Sequence, residues 1–173
     1  MNLCSASSKP TRKMTVQVDV QLASDHRSVP DTDDIAAWVN RAIDAAGYPR
    51  AREVSVRVVD ADEMQQLNCE YRDQDKPTNV LSFPAGNLEG LPDEAESPLG
   101  DIVVCATVVA DEANQQGKSV ADHWAHMIVH GTLHLLGFDH ENDSEAAEME
   151  DLEIRILTDH GIANPYGESP EEN

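Results

Sequence analysis

The sequence has few basic residues, few aromatic side chains and no long apolar run. Lysine and arginine together number 12 against 33 aspartates and glutamates, which gives a formal net charge of −21. Proteins that hold nucleic acid mainly by its phosphates usually carry a basic patch, so this balance counts against tight non-specific binding of that kind. No apolar run approaches the roughly 20 residues that a membrane-spanning helix needs. Aromatic residues make up only 4% of the chain, so aliphatic side chains must fill its interior.

Cysteine is also scarce. The three cysteines, Cys4, Cys69 and Cys105, lie far apart in the sequence. They lack the close spacing of a zinc ribbon or a disulfide framework, and Cys105 lies in an apolar run that suits a core position. The polar N-terminus has no apolar middle of the kind found in secretory signals. These absences predict a cytoplasmic protein with no membrane partner.

The length of 173 residues fits one domain with a substantial core. We expect a loose leader at residues 1–13, a single catalytic domain at residues 14–163 and a flexible acidic tail at residues 164–173.

Hydrophobic periodicity divides the domain into strands and helices. The predicted strands are residues 14–22, 53–59, 78–83 and 100–106, the last of them central. The first predicted helix is capped by Asp31 or Thr32, has its apolar positions within residues 35–46 and ends at Gly47, and the other predicted helices are residues 61–71, 108–116, 119–136 and 144–160. Asp60 is predicted to cap the second helix, with Glu63 completing a pattern like a capping box. Strands with interleaved helices, followed by a run of helices, indicate an α+β fold with a small mixed four-stranded sheet packed by about five helices.

Three histidines form the most informative motif. His130, His134 and His140 have the spacing H-x3-H-x5-H, with Gly137 in the break. Residues four apart share one face of a helix, and a glycine can end the helix and turn the chain back. Three imidazoles suit one zinc ion and leave an open position, which is typical of a catalytic site. Nickel and copper also bind imidazole strongly, so the pattern alone does not identify the metal.

The same spacing occurs in metzincin proteases, which place a glutamate directly after the first histidine as general base. This chain has Gly131 there, which disfavours a peptidase. We place Asp139 and His126 beside the metal as residues that orient ligands or face the substrate, with a purely structural role as the alternative for His126. His26, His123 and His160 are expected at the surface.

Residues 130–140 (HGTLHLLGFDH) closely resemble the signature of the bacterial YbeY family of endoribonucleases. Residues 71–84 (YRDQDKPTNVLSFP) and 99–102 (LGDI) also resemble blocks of that family and occur in its order. The resemblance implies a zinc-dependent, single-strand-specific endoribonuclease that acts in 16S rRNA 3′-end maturation and ribosome quality control. It implies rRNA as substrate, with small-subunit ribosomal proteins and a ribosome-associated GTPase as further partners.

The resemblance also assigns residues. It makes His130, His134 and His140 the metal ligands and Arg72 a catalytic residue. A guanidinium can hold phosphate oxygens bidentately as negative charge builds on them. An ordinary salt bridge from Arg72 to Asp73 or Asp75 is the alternative. Further candidates for substrate binding, weaker than Arg72, are Lys76, Asn79 and Ser82.

Two other functions stay open. The charge of −21 suits docking beside basic ribosomal proteins better than gripping RNA, so a non-catalytic ribosome-assembly factor with a structural metal is the main alternative. A metallopeptidase-like hydrolase is the other. The sequence also leaves open whether water or a ribose 2′-hydroxyl is the nucleophile.

Overall fold

The computed structural model describes residues 15–47, 53–85 and 98–167. Within these ranges the strands are β1 (Gln17–Leu22), β2 (Glu53–Val59), β3 (Val80–Pro84) and β4 (Gly100–Cys105). The helices are α1 (Thr32–Ala45), α2 (Ala61–Arg72), α3 (Ala106–Gln115), α4 (Val120–Leu135) and α5 (Asp143–Thr158). The predicted leader and residues 168–173 of the predicted tail lie outside the described residues.

The strands form one mixed sheet in the order β1-β2-β4-β3. β1, β2 and β4 are parallel, whereas β3 runs antiparallel to β4 and forms an edge. The predicted α+β fold with a four-stranded mixed sheet and five helices is therefore confirmed, and β4 is an inner strand as expected.

The two faces of the sheet carry different helices. On one face, α1 and α4 pack against inward-facing valines and isoleucines of the strands, among them Val56, Ile102 and Val104. On the other face, α2 places Met64 against Leu81 and Val103. Cys105 is buried in this second cluster, which confirms its predicted core position. Each fully buried aliphatic side chain stabilises the fold by about 1.5–3 kcal/mol.

Helix α5 packs on α4 rather than on the sheet. Its apolar face places Met149, Leu152, Ile156 and Leu157 against the face of α4 that contains Val129 and Leu133. The sheet and α5 therefore enclose α4 from two sides.

Asp60 is the N-cap of α2 as predicted, but the hydrogen bonds of a capping box are absent. Asp60 stands at the N-cap but makes no side-chain cap hydrogen bond, and its carboxylate instead accepts from the Ser24 hydroxyl at 2.5 Å. Glu63 forms an ion pair with Arg57 at 2.8 Å. Both carboxylates therefore bind residues outside α2, and the local sequence pattern does not reveal these partners.

Among the described helices, none is long and apolar enough to cross a membrane.

Candidate metal centre

Helix α4 presents two histidines on one face near its C-terminal end. The Ser119 side chain caps the helix start by accepting from the backbone N–H of Asp122. Eleven and fifteen residues after Ser119, His130 and His134 lie one turn apart, and their Nε2 atoms are 3.1 Å apart. The predicted stacking of these two imidazoles is present in the structure.

The end of α4 returns the chain to the same point. Gly137 adopts a left-handed φ of +95°, and the N–H of Phe138 donates to the carbonyl of Leu133 at 3.1 Å. The His140 ring then lies 4.7 Å from the His134 ring and 5.4 Å from the His130 ring, centroid to centroid. One nitrogen from each histidine lies within 4.8 Å of the others.

This group could hold a metal ion. His130 and His134 are half-buried, and His140 is exposed on the loop after α4. Burial lowers the pKa of His134, and the neighbouring His130 and His140 lower it further. The His134 imidazole therefore stays neutral and keeps a lone pair for a ligand bond. A donor set of three imidazoles fits zinc.

A buried glutamate that the sequence analysis missed lies behind these histidines. Glu153 of α5 is 0% exposed, and its Oε1 lies 2.6 Å from Nδ1 of His130. Its Oε2 lies 3.0 Å from Nε2 of His126 and also accepts from the Tyr166 hydroxyl. Burial alone raises the pKa of Glu153, but the hydrogen bonds with His126, His130 and Tyr166 lower it to about 2. The carboxylate is therefore ionised.

A signal for Glu153 was present in the sequence. The apolar stripe of α5 consists of Met149, Leu152, Ile156 and Leu157, and Glu153 is its one acidic member. An acidic residue within an apolar stripe is buried with it and needs a partner. This pattern predicts that Glu153 is buried, but it does not identify the partner of the carboxylate.

Two other histidines are also buried in α4. His126 is 7% exposed and bonded to Glu153, so it lies beside His130 on the side away from His134. The expectation that His123 lies at the surface is wrong, because it is 3% exposed and its Nε2 lies 2.8 Å from a carboxylate oxygen of Glu112. α3 covers His123, and periodicity within α4 alone could not show this.

Gly131 lies on the face of α4 that packs against the sheet. A Cβ at this position would lie 3.0 Å from Cγ2 of Ile102 and 3.1 Å from Cγ2 of Val80. A side chain here would therefore face the sheet instead of the three histidines. This arrangement supports the argument from sequence that residue 131 supplies no general base.

The weaker candidates each have defined surroundings. Ser82 donates to the carbonyl of Gly131 at 2.9 Å, and the Asn79 amide donates to Glu112 at 3.2 Å. The carboxylate of Asp139 accepts from the backbone N–H of His140 at 2.8 Å. The side chain of Lys76 is exposed and makes no ion pair within the described part of the chain. Their proposed roles in binding substrate or orienting ligands stay predictions.

Arg72 is the last residue of α2 and is exposed. The alternative salt bridge to Asp73 or Asp75 does not form, and within residues 15–47, 53–85 and 98–167 the side chain of Arg72 has no hydrogen bond. α2 and α4 lie on opposite faces of the sheet. The structure thus does not bring Arg72 into contact with the three histidines, and the edge strand β3 lies between the two elements.

The fold and the histidine cluster show that this is an α+β protein with a candidate metal centre at the C-terminal end of a helix. The family model described as Endoribonuclease YbeY matches residues 19–161. The chain therefore belongs to the Endoribonuclease YbeY family, which confirms the resemblance seen in its motifs. An endoribonuclease is a hydrolase that cuts phosphodiester bonds within RNA.

Relatives named Endoribonuclease YbeY are similar over most of their length. The protein from Halorhodospira halophila is 52% identical over 153 residues, which cover 87% of this chain and 98% of the relative. The protein from Alcanivorax borkumensis is 49% identical over 160 residues, or 92% of this chain and 91% of the relative. The protein from Cellvibrio japonicus is 48% identical over 154 residues, which cover 88% of this chain and 84% of the relative.

A solved structure shares the fold. The solution structure of TM1509 from Thermotoga maritima matches with a TM-score of 0.54 at 21% sequence identity. The match covers 91% of this chain and 100% of that one. At this identity the likeness concerns the fold alone.

Proposed function

We propose that this protein is a zinc-dependent endoribonuclease that cuts single-stranded RNA, with one zinc ion held by His130, His134 and His140. The convergence of these three imidazoles at the end of α4 is the observation that carries the proposal. Membership of an endoribonuclease family supports RNA as the substrate. When bound, zinc in such a site supplies a Lewis acid and a nucleophile that is active near neutral pH.

The chain's own residues would bind and orient the RNA. The guanidinium of Arg72 has no partner in the described structure, so it is free to hold a phosphate bidentately. Tyr71, next to it, is 60% exposed, and its ring meets the Phe83 ring edge-on at 5.0 Å between centroids. An exposed aromatic ring beside a free cation offers a base a stacking surface.

The positions of these groups favour a flexible substrate. Arg72 and the histidines lie beside opposite faces of the sheet, so one RNA molecule that reaches both must bend around β3. A single strand bends more easily than a stiff duplex. We propose that this geometry underlies a preference for single strands and that Arg72 stabilises the charge that develops on the phosphate.

The net charge of −21 bears on the biological setting. Free RNA is repelled at long range, whereas RNA within a ribosomal particle is accompanied by basic proteins that an acidic surface attracts. The charge thus suits a ribosomal setting, and from the family resemblance we propose 16S rRNA 3′-end maturation and ribosome quality control in the cytoplasm as the process. Small-subunit ribosomal proteins and a ribosome-associated GTPase are the proposed partners.

The test combines metal analysis with RNA cleavage. Protein purified without added metal is analysed for zinc, nickel and copper and then incubated with a labelled RNA that has single-stranded and duplex segments. We expect about one zinc per chain, cleavage in the single-stranded segments only, loss of cleavage after chelation and recovery with zinc. Absence of cleavage by the metal-loaded protein would refute the enzymatic proposal. The product ends show whether water or the 2′-hydroxyl attacks, since only the latter leaves a cyclic phosphate.

The same charge favours one alternative, a ribosome-assembly factor whose metal only stabilises the fold. His134→Ala separates the two proposals. A structural metal predicts that the variant loses stability and function together. A catalytic metal predicts a folded variant that does not cut RNA.

A further inference from the structure

We propose that Glu153 and Tyr166 are positioning residues for His130, so that the segment following α5 is an integral part of the metal centre. The catalytic consequence of this proposal rests on the proposed function, but its consequence for metal binding does not. Neither residue belongs to the three-histidine set, and Tyr166 lies 40 residues beyond His126 in the sequence.

The first step of the argument is the carboxylate of Glu153. It is fully buried, and a buried charge is tolerated only when hydrogen bonds satisfy it. At 2.6 Å, Oε1 lies within hydrogen-bond distance of Nδ1 of His130, so the carboxylate favours the His130 tautomer whose Nδ1–H donates to it. Nε2 of His130 then keeps its lone pair, and this atom faces His134 at 3.1 Å. Glu153 thereby fixes the tautomer and ring orientation that metal binding requires.

The second step is the other oxygen of the same carboxylate. Oε2 accepts from the Tyr166 hydroxyl and from Nε2 of His126. With its second oxygen held by these two donors, the carboxylate cannot rotate away from His130. Burial and the nearby Glu153 and Glu150 carboxylates raise the pKa of Tyr166, so its hydroxyl remains a donor.

The third step concerns what holds Tyr166 in place. Tyr166 is 45% exposed, so burial alone does not hold its side chain in place. Its ring meets the His126 ring edge-on at 5.3 Å between centroids. In addition, the ammonium of Lys118 donates to the carbonyl of Pro165 at 2.7 Å. The segment is thus fastened both to the residues preceding α4 and, through Glu153, to α5.

A competing interpretation uses the same atoms. His126, His130 and Glu153 also have the spacing of a metal-ligating group and share His130 with the first group. The contacts of Glu153 have the lengths of hydrogen bonds, which supports protons between these atoms. Our proposal therefore requires one metal ion per chain.

Tyr166→Phe and Glu153→Gln test the proposal. Tyr166→Phe removes only the hydroxyl, and Glu153→Gln keeps the side-chain size while removing the charge. We expect metal affinity, measured by competition with a chromogenic chelator, to fall about 10-fold for Tyr166→Phe and up to about 100-fold for Glu153→Gln. Cobalt substituted at the site should show altered visible absorption in both variants. Tyr71→Phe, which removes a hydroxyl from an exposed tyrosine on the other sheet face, is the matched control and should change neither.

The outcomes separate positioning from stability and from the proposed function. If Tyr166→Phe lowers the melting temperature of the metal-free protein but leaves metal affinity and the cobalt spectrum unchanged, the pair is structural and the proposal is wrong. Two tightly bound ions per chain would also overturn it. If Glu153→Gln does not fold, Tyr166→Phe still decides. If metal affinity falls as expected while even the wild-type protein cuts no RNA, the proposed function fails and the positioning role stands.

Discussion

The hydroxyl of Ser82 on β3 donates a 2.9 Å hydrogen bond to the carbonyl of Gly131 on α4, directly after the ligand candidate His130. The absence of a side chain at residue 131 permits this approach, since a Cβ there would lie 3.3 Å from the Ser82 oxygen. The edge strand is therefore bonded to the helix next to the candidate ligand. The position of His130 thus depends on this contact with β3 as well as on α4 itself.

Gly131→Ala should destabilise the protein. Replacing glycine by alanine within a helix ordinarily stabilises by about 0.5–1 kcal/mol. Here the added methyl would lie 3.0 Å from Ile102 and 3.1 Å from Val80, so we expect a loss of about 1–3 kcal/mol from overpacking. Urea unfolding shows directly whether Gly131→Ala raises or lowers the free energy of unfolding. Ser82→Ala, which removes the hydrogen bond without adding atoms, should cost about 0.5–1.5 kcal/mol. A stabilised Gly131→Ala protein would contradict the close packing of α4 on the sheet.

His140→Ala should abolish tight metal binding without unfolding the protein. His140 is exposed and follows α4, so its removal creates no cavity. We expect the melting temperature of the metal-free protein to stay unchanged while metal affinity falls sharply, because three ligands become two. Equilibrium dialysis against zinc measures the affinity, with His26→Ala, an exposed histidine before α1, as control. Equal affinity in the two variants would remove His140 from the ligand set.

The sequence predicts well what depends on neighbours in the chain. His130 and His134 share a helix face, and Gly137 reverses the chain, so the three-histidine cluster follows from local geometry. The alternating valines of β2 likewise predicted a strand, which the structure contains. In each case the decisive contacts lie within a few residues.

What the sequence does not predict depends on packing between elements. Glu153 reaches His130 across 23 residues because α5 packs on α4, and no local pattern gives the rotation of one helix against the other. His123 is buried by α3 for the same reason. The position of Arg72 relative to the histidines depends on which sheet face α2 covers, which is a matter of topology.

Arg72→Ala should reduce RNA cleavage by about 10²–10³-fold, the cost of losing one donor to developing charge. Because the side chain of Arg72 is exposed and has no hydrogen bond within the described structure, the free energy of unfolding should change by less than about 0.5 kcal/mol. Arg72→Lys should recover only part of the activity, since an ammonium cannot hold a phosphate bidentately. Arg27→Ala, at another exposed arginine, is the control for general loss of positive charge. Equal cleavage by the Arg27 and Arg72 variants would show that Arg72 has no specific role.

His123 should make the stability depend on pH. Burial lowers the pKa of His123 below the usual value of about 6.5, and this effect outweighs the contact with Glu112. The structure agrees, because Nδ1 of His123 has no hydrogen-bond partner among the described residues, which suits an unprotonated nitrogen better than a buried N–H. The folded protein therefore keeps His123 neutral at a pH where the unfolded chain has already protonated it.

Proton linkage determines whether the free energy of unfolding rises or falls with pH. As pH falls through about 6.5, the unfolded state binds a proton at residue 123 that the folded state does not, so the free energy of unfolding decreases. The loss stops once pH falls below the lowered pKa of the folded protein. His123→Gln keeps a donor for Glu112 but does not titrate. Urea unfolding of the metal-free proteins at about pH 7.5 and about pH 5.5 should show a larger loss of stability for the wild type than for the variant. A smaller loss for the wild type would mean that the charge of Glu112 outweighs burial and raises the pKa of His123.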